Sequence, residues 1–363
     1  MPKKAVREAL MHLPPKEVRQ VRSLLLAFYD ANKRDLPWRK TSDPYKILVS
    51  EIMLQQTQVA TVIPRWLAFL EQFPDVKALA AVREEDVCEA WAGLGYYRRA
   101  RNLHKAARQV MELHDGKFPK SFGDILALAG VGRYTAGAIS SIAFGQENPV
   151  VDGNVVRVLA RYFSVALPKD DASLHRAAWS LMENLVSGER PGDLNQSVME
   201  LGATVCTPAL PSCLDCPISK GCSAYREQMP TAYPTPKKTK PREVLHVAFG
   251  ILQSAEGLAM TQRPLDGLWA GLWEPLSATG EGSDEAKESL IANHFESATL
   301  TYFCEIRHIL THREVRARVY EVSGDLKHDS KLILTESPES LGLSKLARKV
   351  LDAWSKPTQR ELL

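Results

Sequence analysis

The sequence predicts an all-α domain followed by a smaller α+β domain, and three observations support this prediction. Residues 16–226 contain successive amphipathic helical patterns separated by short glycine and proline breaks. Residues 229–241 include four prolines and a cationic end, which is typical of an extended connector. After residue 244 the apolar period changes to that of strands. We therefore expect a helical domain at 1–226, a linker at 227–243 and a second domain at 244–363.

Composition sets limits on function without identifying it. The 363 residues carry 46 Lys and Arg against 43 Asp and Glu, and this net charge of +3 is too small by itself to identify a nucleic-acid-binding protein. We interpret the basic runs at 98–101 and 237–240 as a solvated helix face and part of the linker. No segment reaches 18 uninterrupted apolar residues, so we expect neither export nor a membrane span, and hence a cytoplasmic location.

The first element with chemical interest is a helix that starts at Asp43 and Pro44. Asp43 can cap free amide groups, and the fixed φ of Pro44 suits a first turn. Glu51 then shares a helix face with apolar residues, and burial would raise its pKa toward the range of a general acid. On the helix pattern alone, a salt-bridged or edge-exposed glutamate remains the alternative.

A glycine hairpin and an aspartate follow. Gly130, Val131 and Gly132 join two helical patterns, and the two glycines allow a tight turn that leaves helix N-terminal amides free to face an anion such as a DNA phosphate. Asp152 comes directly after the apolar pair 150–151. By itself this position is also typical of a helix cap, so its pattern leaves both roles open.

Four cysteines end the helical domain with the spacing C-x6-C-x2-C-x5-C. They are Cys206, Cys213, Cys216 and Cys222. In a reducing compartment such a cluster is poorly explained by disulfides, which leaves an iron-sulfur cluster or zinc. Only one C-x2-C pair is present, whereas structural zinc sites usually combine two, and the uneven spacing therefore favours an iron-sulfur cluster.

Beyond the linker the pattern predicts four strands and two helices. The strands are expected at 244–252, 258–263, 302–310 and 315–322, and the helices near 284–294 and 341–354. Strands interrupted by helices in this order indicate an α+β domain.

Together these motifs resemble the helix-hairpin-helix DNA glycosylases. The residues that carry the resemblance are Ser50-Glu51-Ile52-Met53-Leu54-Gln55-Gln56-Thr57-Gln58-Val59, Gly93-Leu94-Gly95-Tyr96-Tyr97, the Gly-Val-Gly hairpin, Val151-Asp152-Gly153-Asn154 and the four cysteines. Within that superfamily the sequence is similar to the MutY family of adenine glycosylases, which remove adenine mispaired with 8-oxoguanine. The resemblance covers nearly the whole chain and implies a helix-hairpin-helix domain with a 4Fe-4S cluster, followed by a Nudix-like domain.

The resemblance also implies roles for individual residues, because adenine has to leave the base stack to be cut. Glu51 matches the acid that protonates the leaving adenine, and Asp152 matches the carboxylate that stabilises the oxocarbenium-like sugar. Tyr134 and Asn154 match residues that support this centre. The adenine pocket corresponds to Trp38, Arg39, Leu54, Val59 and Gln196. The DNA and 8-oxoguanine contacts correspond to Gln56, Thr57, Leu94, Tyr96, Gly130, Val131 and Gly132.

The implied substrate is double-stranded DNA with an adenine opposite 8-oxoguanine or guanine, bound by a monomeric enzyme at the nucleoid. Tyr134 distinguishes the expected adenine glycosylase from enzymes of the endonuclease III type. Those enzymes have a lysine at that hairpin position and use it to form a Schiff base. The alternatives are therefore a glycosylase-lyase for oxidised pyrimidines, and a DNA-damage sensor without catalysis. The absence of the lysine disfavours the first, and the two carboxylates disfavour the second.

The second domain resembles the Nudix-like domain of the same family through Leu268-Trp269-Ala270-Gly271-Leu272-Trp273-Glu274. It lacks an acidic Nudix box, so we expect recognition rather than magnesium-dependent pyrophosphate hydrolysis. In the family a Phe-Ser-His loop reads 8-oxoguanine. This chain has Leu310-Thr311-His312, so Thr311 and His312 are expected to contact the lesion without the aromatic ring.

Overall fold

A computed structural model describes residues 13–236, 242–264, 267–310, 312–327 and 332–356. The chain divides into two compact units, Met1–Lys238 and Thr239–Leu363. In the described residues no helix is both long and apolar enough to cross a membrane.

The first unit is built from α-helices, as the periodicity predicts. In the described residues they are α1 (Pro15–Asn32), α2 (Pro44–Leu54), α3 (Val59–Gln72), α4 (Val76–Ala81), α5 (Glu84–Ala90), α6 (Arg98–Leu113), α7 (Phe122–Leu126), α8 (Arg133–Phe144), α9 (Gly153–Tyr162), α10 (Ala172–Val186), α11 (Pro191–Thr204) and α12 (Ser223–Arg226). Short 3-10 turns lie at Pro37–Lys40, Cys213–Asp215, Ser219–Gly221 and Pro230–Ala232.

Local signals explain where several of these helices begin. The carboxylates of Asp43, Asp152 and Asp171 each accept a hydrogen bond from free amides at the start of α2, α9 and α10, respectively. Proline occupies the first turn of α1, α2 and α11, where its missing N–H costs nothing. The sequence therefore fixes these helix starts by capping chemistry.

Two hydrophobic cores stabilise the helical unit. One is formed mainly by α2, α3, α6 and α8 and contains Trp66, Phe69 and Trp91. The other is formed mainly by α1, α9, α10 and α11 and contains Met182 and Leu201. Because α8 packs against both α2 and α11, it lies between the two cores. Any site that combines residues of α2, α8 and α9 therefore lies at this boundary.

Where the structure describes the second unit, its strands form a seven-stranded sheet. Its strands are β1 (Glu243–Ile251), β2 (Gln253–Ser254), β3 (Gly257–Gln262), β4 (Trp273–Gly280), β5 (Phe295–Ile309), β6 (Arg313–Leu326) and β7 (Leu332–Thr335), in the order β2-β3-β4-β1-β6-β5, with β7 paired to β3. The β1–β6 pair is parallel and the other pairs are antiparallel. In the register of β5 with β6, the pairing shifts between Phe295 and Ser297 and again between Tyr302 and Cys304.

Successive side chains along the strands point to opposite faces of the sheet, and both faces are buried. Val247 and Phe249 of β1 pack in the core that contains α14 (Lys345–Ser355), whereas Ala248 packs in the core that contains α13 (Ser283–His294). The predicted α+β class is confirmed, but β4, β2 and β7 were not predicted. The strand β5 also begins seven residues before its predicted start at residue 302, because its exposed polar residues obscure the strand period.

Candidate active site

Glu51 is a buried carboxyl group on α2. It is 7% exposed, and its neighbours on the helix from Ile47 to Met53 are buried on every side. Its pKa is raised from 4.5 to about 7, chiefly by burial, while a hydrogen bond with Tyr134 opposes this shift and the negative charge of Asp152 adds to it. The side chain can therefore hold a proton near neutral pH, as a general acid must.

Asp152 is oriented by the start of α9. Its Oδ1 accepts hydrogen bonds from the backbone N–H of Asn154 at 2.8 Å and of Val155 at 2.7 Å. Its Oδ2 accepts a third bond, at 2.8 Å, from the Asn154 side-chain amide. The cap role and the proposed chemical role are therefore compatible, because the same bonds that begin the helix also fix the carboxylate.

Tyr134 is close enough to both carboxylates to feel their charge. It lies in the first turn of α8, and its pKa is raised well above 10 by burial and then by the negative charges of Glu51 and Asp152. Its hydroxyl oxygen also lies 3.4 Å from the sulfur of Met199 on α11. The structure thus brings together Glu51, Tyr134 and Asp152, which the sequence separates by about 100 residues.

A glycine permits the close approach of α9 and α11 beneath this site. A Cβ added to Gly202 of α11 would lie 2.6 Å from Cβ and 3.2 Å from Cα of Asn154, which is too close for either helix to remain in place. Gly202 therefore sets the position of Asn154, and through it the position of Asp152.

Arg39 is held against α11 by a buried carboxylate of that helix. Glu200 of α11 has a fully buried side chain and accepts a bond from Arg39 Nη2 at 2.8 Å. Arg34 binds the same carboxylate through Nε and Nη2, both at 2.8 Å. Burial opposes ionisation of Glu200, but the hydrogen bonds from Arg34 and Arg39 outweigh it and lower its pKa to about 2. The Arg39 guanidinium also lies 5.3 Å from the ring centre of Tyr29.

The other residues assigned to the adenine pocket differ in burial. Trp38 is 8% exposed and packs edge-on against Trp66, with ring centres 6.1 Å apart. Leu54 and Val59 are half-buried against the same core, and Gln196 is half-buried on α11. Trp38 is therefore a core residue in this structure, while Gln196 remains partly open to solvent.

The glycine hairpin has the conformation that its sequence predicts. Gly130 has a φ of 75°, and a Cβ there would lie 2.6 Å from Cβ of Asn102. Val131 is buried in the first core, and Gly132 caps α8 with extended backbone. The turn thus presents the N-terminus of α8 beside Tyr134.

Two loops carry the residues assigned to 8-oxoguanine in the helical unit. Gln56 is exposed with a φ of 57°, and Thr57 follows it. Tyr96 is 61% exposed with a φ of 50°, whereas Leu94 is buried in the core. Neither loop belongs to a helix or a strand, so the conformation of each loop depends on contacts with side chains from other parts of the helical unit.

The four cysteines lie around one small cavity. Its lining includes Cys206, Cys213, Cys216 and Cys222, with a volume of about 30 Å³. In the described residues no three His, Cys, Asp or Glu side chains converge closely enough to hold one metal ion.

Two arginines of α9 hold the cysteine loop. Arg157 donates to the Cys206 carbonyl at 2.9 Å and to Asn154 Oδ1 at 2.9 Å. Arg161 donates to the Cys206 sulfur at 3.3 Å and to the Thr207 carbonyl at 2.7 Å. The helix that begins at Asp152 therefore also supports the cysteines.

Sequence reasoning missed several of these side chains, namely Arg99, Arg157, Arg161, Met199 and Glu200. Arg157, Arg161 and Glu200 stand inside otherwise apolar helical stretches. Such isolated charges in buried patterns are the signal that pointed to Glu51 and that could have identified them as well. In the second unit, His312 is exposed in a bend after β5, and Thr311 lies outside the described residues.

Comparison with protein families identifies two domains. Residues 49–184 match the family described as HhH-GPD superfamily base excision DNA repair protein, and residues 247–353 match the NUDIX domain. The second match agrees with the sheet flanked by two helices.

Relatives with established names are adenine DNA glycosylases. The human enzyme is 36% identical, with 84% of this chain and 67% of the relative covered, and that of Buchnera aphidicola from Acyrthosiphon pisum is 32% identical, with 92% and 97% covered. The Arabidopsis thaliana enzyme is 38% identical, and the chain spans 57% of its length.

Solved structures also resemble the helical unit. A thermostable thymine-DNA glycosylase is 34% identical, with a TM-score of 0.54 and coverage of 58% of this chain and 98% of that one. An endonuclease III bound to DNA, 22% identical with a TM-score of 0.51 and coverage of 60% and 99%, shares the fold.

Proposed function

The chain belongs to the adenine DNA glycosylase family, and we propose that the adenine it removes lies opposite 8-oxoguanine or guanine in a DNA duplex. As a glycosylase of base excision repair it binds DNA and hydrolyses an N-glycosyl bond. The observation that carries the proposed chemistry is the convergence of Glu51, Tyr134 and Asp152 at the boundary of the two helical cores.

We assign Glu51 as the general acid. Adenine is a poor leaving group until it is protonated, and a carboxyl group with a pKa near 7 holds the proton that this step needs. After bond cleavage the same carboxylate is a base that can accept a proton from water, which attacks the sugar at C1′. Tyr134, which shares a hydrogen bond with Glu51, keeps this carboxyl group aimed at the base.

We assign Asp152 to the sugar. Loss of the base leaves positive charge on C1′ and the ring oxygen, and a carboxylate fixed beside them stabilises that charge. The three hydrogen bonds at the start of α9 hold Asp152 in one orientation, so little reorganisation is required during the reaction. Asn154 contributes two of these bonds and is therefore a positioning residue.

The pH dependence of excision should report on Glu51. Because its pKa is raised to about 7, the protonated fraction of this acid falls as pH rises through that value. We expect the single-turnover excision rate to fall about tenfold per pH unit above about pH 7.5. The measurement is a pH–rate profile from pH 6 to 9 with DNA at saturation. A flat profile over this range would exclude Glu51 as the acid.

The extruded adenine requires a pocket, and we assign Trp38, Arg39, Leu54, Val59 and Gln196 to it. Arg39 and Gln196 offer hydrogen-bond donors for a purine edge, while Leu54 and Val59 offer apolar walls. The guanidinium of Arg39 is fixed by Glu200, which accepts from Nη2, and by the Arg34 carbonyl, which accepts from Nη1. Trp38 supports the pocket from the core.

On the opposite strand, we assign Gln56, Thr57, Leu94 and Tyr96 to 8-oxoguanine and to the gap that adenine leaves. Gly130, Val131 and Gly132 would bind a phosphate through the N-terminal amides of α8. In the second unit we assign Thr311 and His312 to the lesion. His312 supports this assignment because it is exposed in the bend immediately before β6.

The cysteine cavity supports a 4Fe-4S cluster held by Cys206, Cys213, Cys216 and Cys222. When bound, such a cluster cross-links the loop through thiolate ligands and can take up or release an electron. The chain's own residues orient the loop, since Arg161 binds both the sulfur and the carbonyl of Cys206.

Metal analysis distinguishes the two cofactors that the cysteines permit. The purified protein should contain about four irons and four sulfides per chain and absorb broadly near 400 nm. Cys216→Ser should lower the iron content and the absorbance together, while Cys304→Ser in the second unit should leave both unchanged. Stoichiometric zinc without iron in anaerobically purified protein would contradict the assignment.

One assay tests the substrate. Purified protein is incubated with duplexes that carry adenine opposite 8-oxoguanine, adenine opposite guanine, thymine glycol, or no lesion, with and without alkali. We expect strand breaks only after alkali, strongly for adenine opposite 8-oxoguanine and less for adenine opposite guanine. Strand breaks on the thymine glycol duplex without alkali would indicate a lyase. Binding to the duplexes without any strand breaks would indicate a sensor.

We further propose that the protein acts as a monomer at the nucleoid. Sedimentation of the protein with and without the duplex would test its monomeric state.

A further inference from the structure

Arg99 is the side chain that connects the two loops described above. It lies in the first turn of α6, within the basic run that the sequence suggested was solvated. Its Nη1 donates to the carbonyl oxygens of Ile52 at 2.9 Å and Met53 at 3.0 Å, and also to that of Gln55. These carbonyls belong to the last turn of α2 and its cap, immediately after Glu51.

The other end of the guanidinium reaches the second loop. Nη2 donates to the carbonyl oxygens of Leu94 at 3.0 Å and Gly95 at 3.1 Å, and to Thr57 Oγ1 at 3.2 Å. Its central carbon also lies 5.5 Å from the ring centre of Tyr96. The two terminal nitrogens, with four N–H groups between them, therefore contact six oxygens and join residues 52–57 to residues 94 and 95.

Only a guanidinium can make this set of contacts. The carbonyls at the end of α2 carry partial negative charge and lack helical partners, so a cation placed there is favourable. Arginine offers five donors in a rigid plane, whereas lysine offers three donors on one flexible atom. Gln56 and Tyr96 both adopt positive φ without being glycine, and such backbone persists only where neighbouring groups hold it.

We propose that Arg99 is a positioning residue that joins the turn at residues 55–57 and the loop at residues 94–96 into one rigid element, attached to the helix that carries Glu51. This inference rests on the proposed function, since these loops face 8-oxoguanine only if the substrate is as proposed. Both terminal nitrogens of Arg99 are directed at oxygens of the protein itself, namely five backbone carbonyls and Thr57 Oγ1. Its effect on repair is therefore indirect and should alter lesion discrimination more than the chemical step.

The first test compares Arg99→Lys with Arg98→Lys, an equally conservative change of the exposed neighbour. Single-turnover excision is measured opposite 8-oxoguanine and opposite guanine. For Arg99→Lys we expect the ratio of the two rates to fall about tenfold, which corresponds to one or two lost charge-assisted hydrogen bonds. Excision opposite guanine should change less, and Arg98→Lys should behave as the wild type.

The second test needs neither DNA nor activity. Hydrogen–deuterium exchange followed by mass spectrometry should show faster exchange in peptides covering residues 54–58 and 92–97 together in Arg99→Lys, but in neither peptide in Arg98→Lys. If Arg99→Lys does not fold, Thr57→Val removes one contact from the opposite side. Exchange in this variant should still increase in residues 92–97, to which Thr57 is linked through Arg99.

The outcomes separate the two proposals. If the wild type does not cut adenine opposite 8-oxoguanine, the proposed function fails, while the exchange data still decide whether Arg99 joins the loops. If the wild type cuts but Arg99→Lys keeps the wild-type rate ratio, Arg99 has no role in discrimination. Unchanged exchange in both peptides would refute the joined element itself.

Discussion

Glu51→Gln is expected to abolish adenine excision while leaving binding to the mismatched duplex nearly unchanged. Glutamine has almost the same shape as glutamic acid but has no proton to give the leaving base, so the loss should be about 10³-fold, within the range of general acid catalysis. Single-turnover excision and a binding titration on the same duplex measure the two quantities. A variant that retains more than about a tenth of the rate would remove Glu51 from its assigned role.

The same change should make the folded protein more stable at alkaline pH. Burial raises the pKa of Glu51 from 4.5 to about 7, so its contribution to stability is complete below pH 4.5 and is lost as pH rises through 7. Above that range the wild type carries a penalty of about 3 kcal/mol, which glutamine removes. Urea unfolding should show a much larger gain for the variant at pH 8 than at pH 5. Glu183→Gln on the surface is the control.

Glu200→Ala is expected to give the largest loss of stability among the charged residues of the helical unit. It removes a fully buried carboxylate that binds Arg34 and Arg39 and leaves Arg39, 11% exposed, without its partner. Breaking a buried ion pair in this way costs about 3–5 kcal/mol. Excision should also fall, because Arg39 loses the contact that holds it at the base pocket. Urea unfolding followed by circular dichroism at 222 nm measures the first effect.

A matched surface pair provides the control for Glu200. Glu183 binds Arg133 at 3.0 Å with both side chains 53% exposed, and Glu183→Ala should cost less than about 1 kcal/mol. Since the pKa of Glu200 is lowered to about 2, its contribution is present above pH 4.5 and is lost as pH falls through 2. The difference between wild type and Glu200→Ala should therefore narrow in acid. Equal losses for the two variants would show that burial does not set the cost.

The sequence predicted the parts of the fold that depend on local chemistry. Aspartate caps and the hairpin glycines have conformational preferences that act within a few residues, so the start of α2 and the turn at Gly130 could be predicted. The burial of Glu51 also followed from its apolar neighbours. By contrast, β4 and β7 are short or interrupted by polar residues and acquire their structure from pairing with β3.

The parts that could not be predicted depend on contacts between distant segments. Arg99 and Arg98 are adjacent and chemically identical, yet one binds two loops and the other is exposed. Nothing in the helical period distinguishes them, because the difference lies in the carbonyls that α2 and the loop at 94–96 present. Glu200 is similar, since its partner Arg34 lies 166 residues away.

The strand β5 leaves one edge of the described sheet unpaired, and this edge affects how the second unit would behave if it were prepared by itself. In the described residues it pairs with β6 alone and extends for 15 residues, so it presents a long row of backbone groups to which another copy could add. Its two register shifts and the exposed charges of Glu296, Glu305 and Arg307 oppose such stacking. Replacing those charges with apolar residues should increase aggregation of the isolated second unit at high concentration.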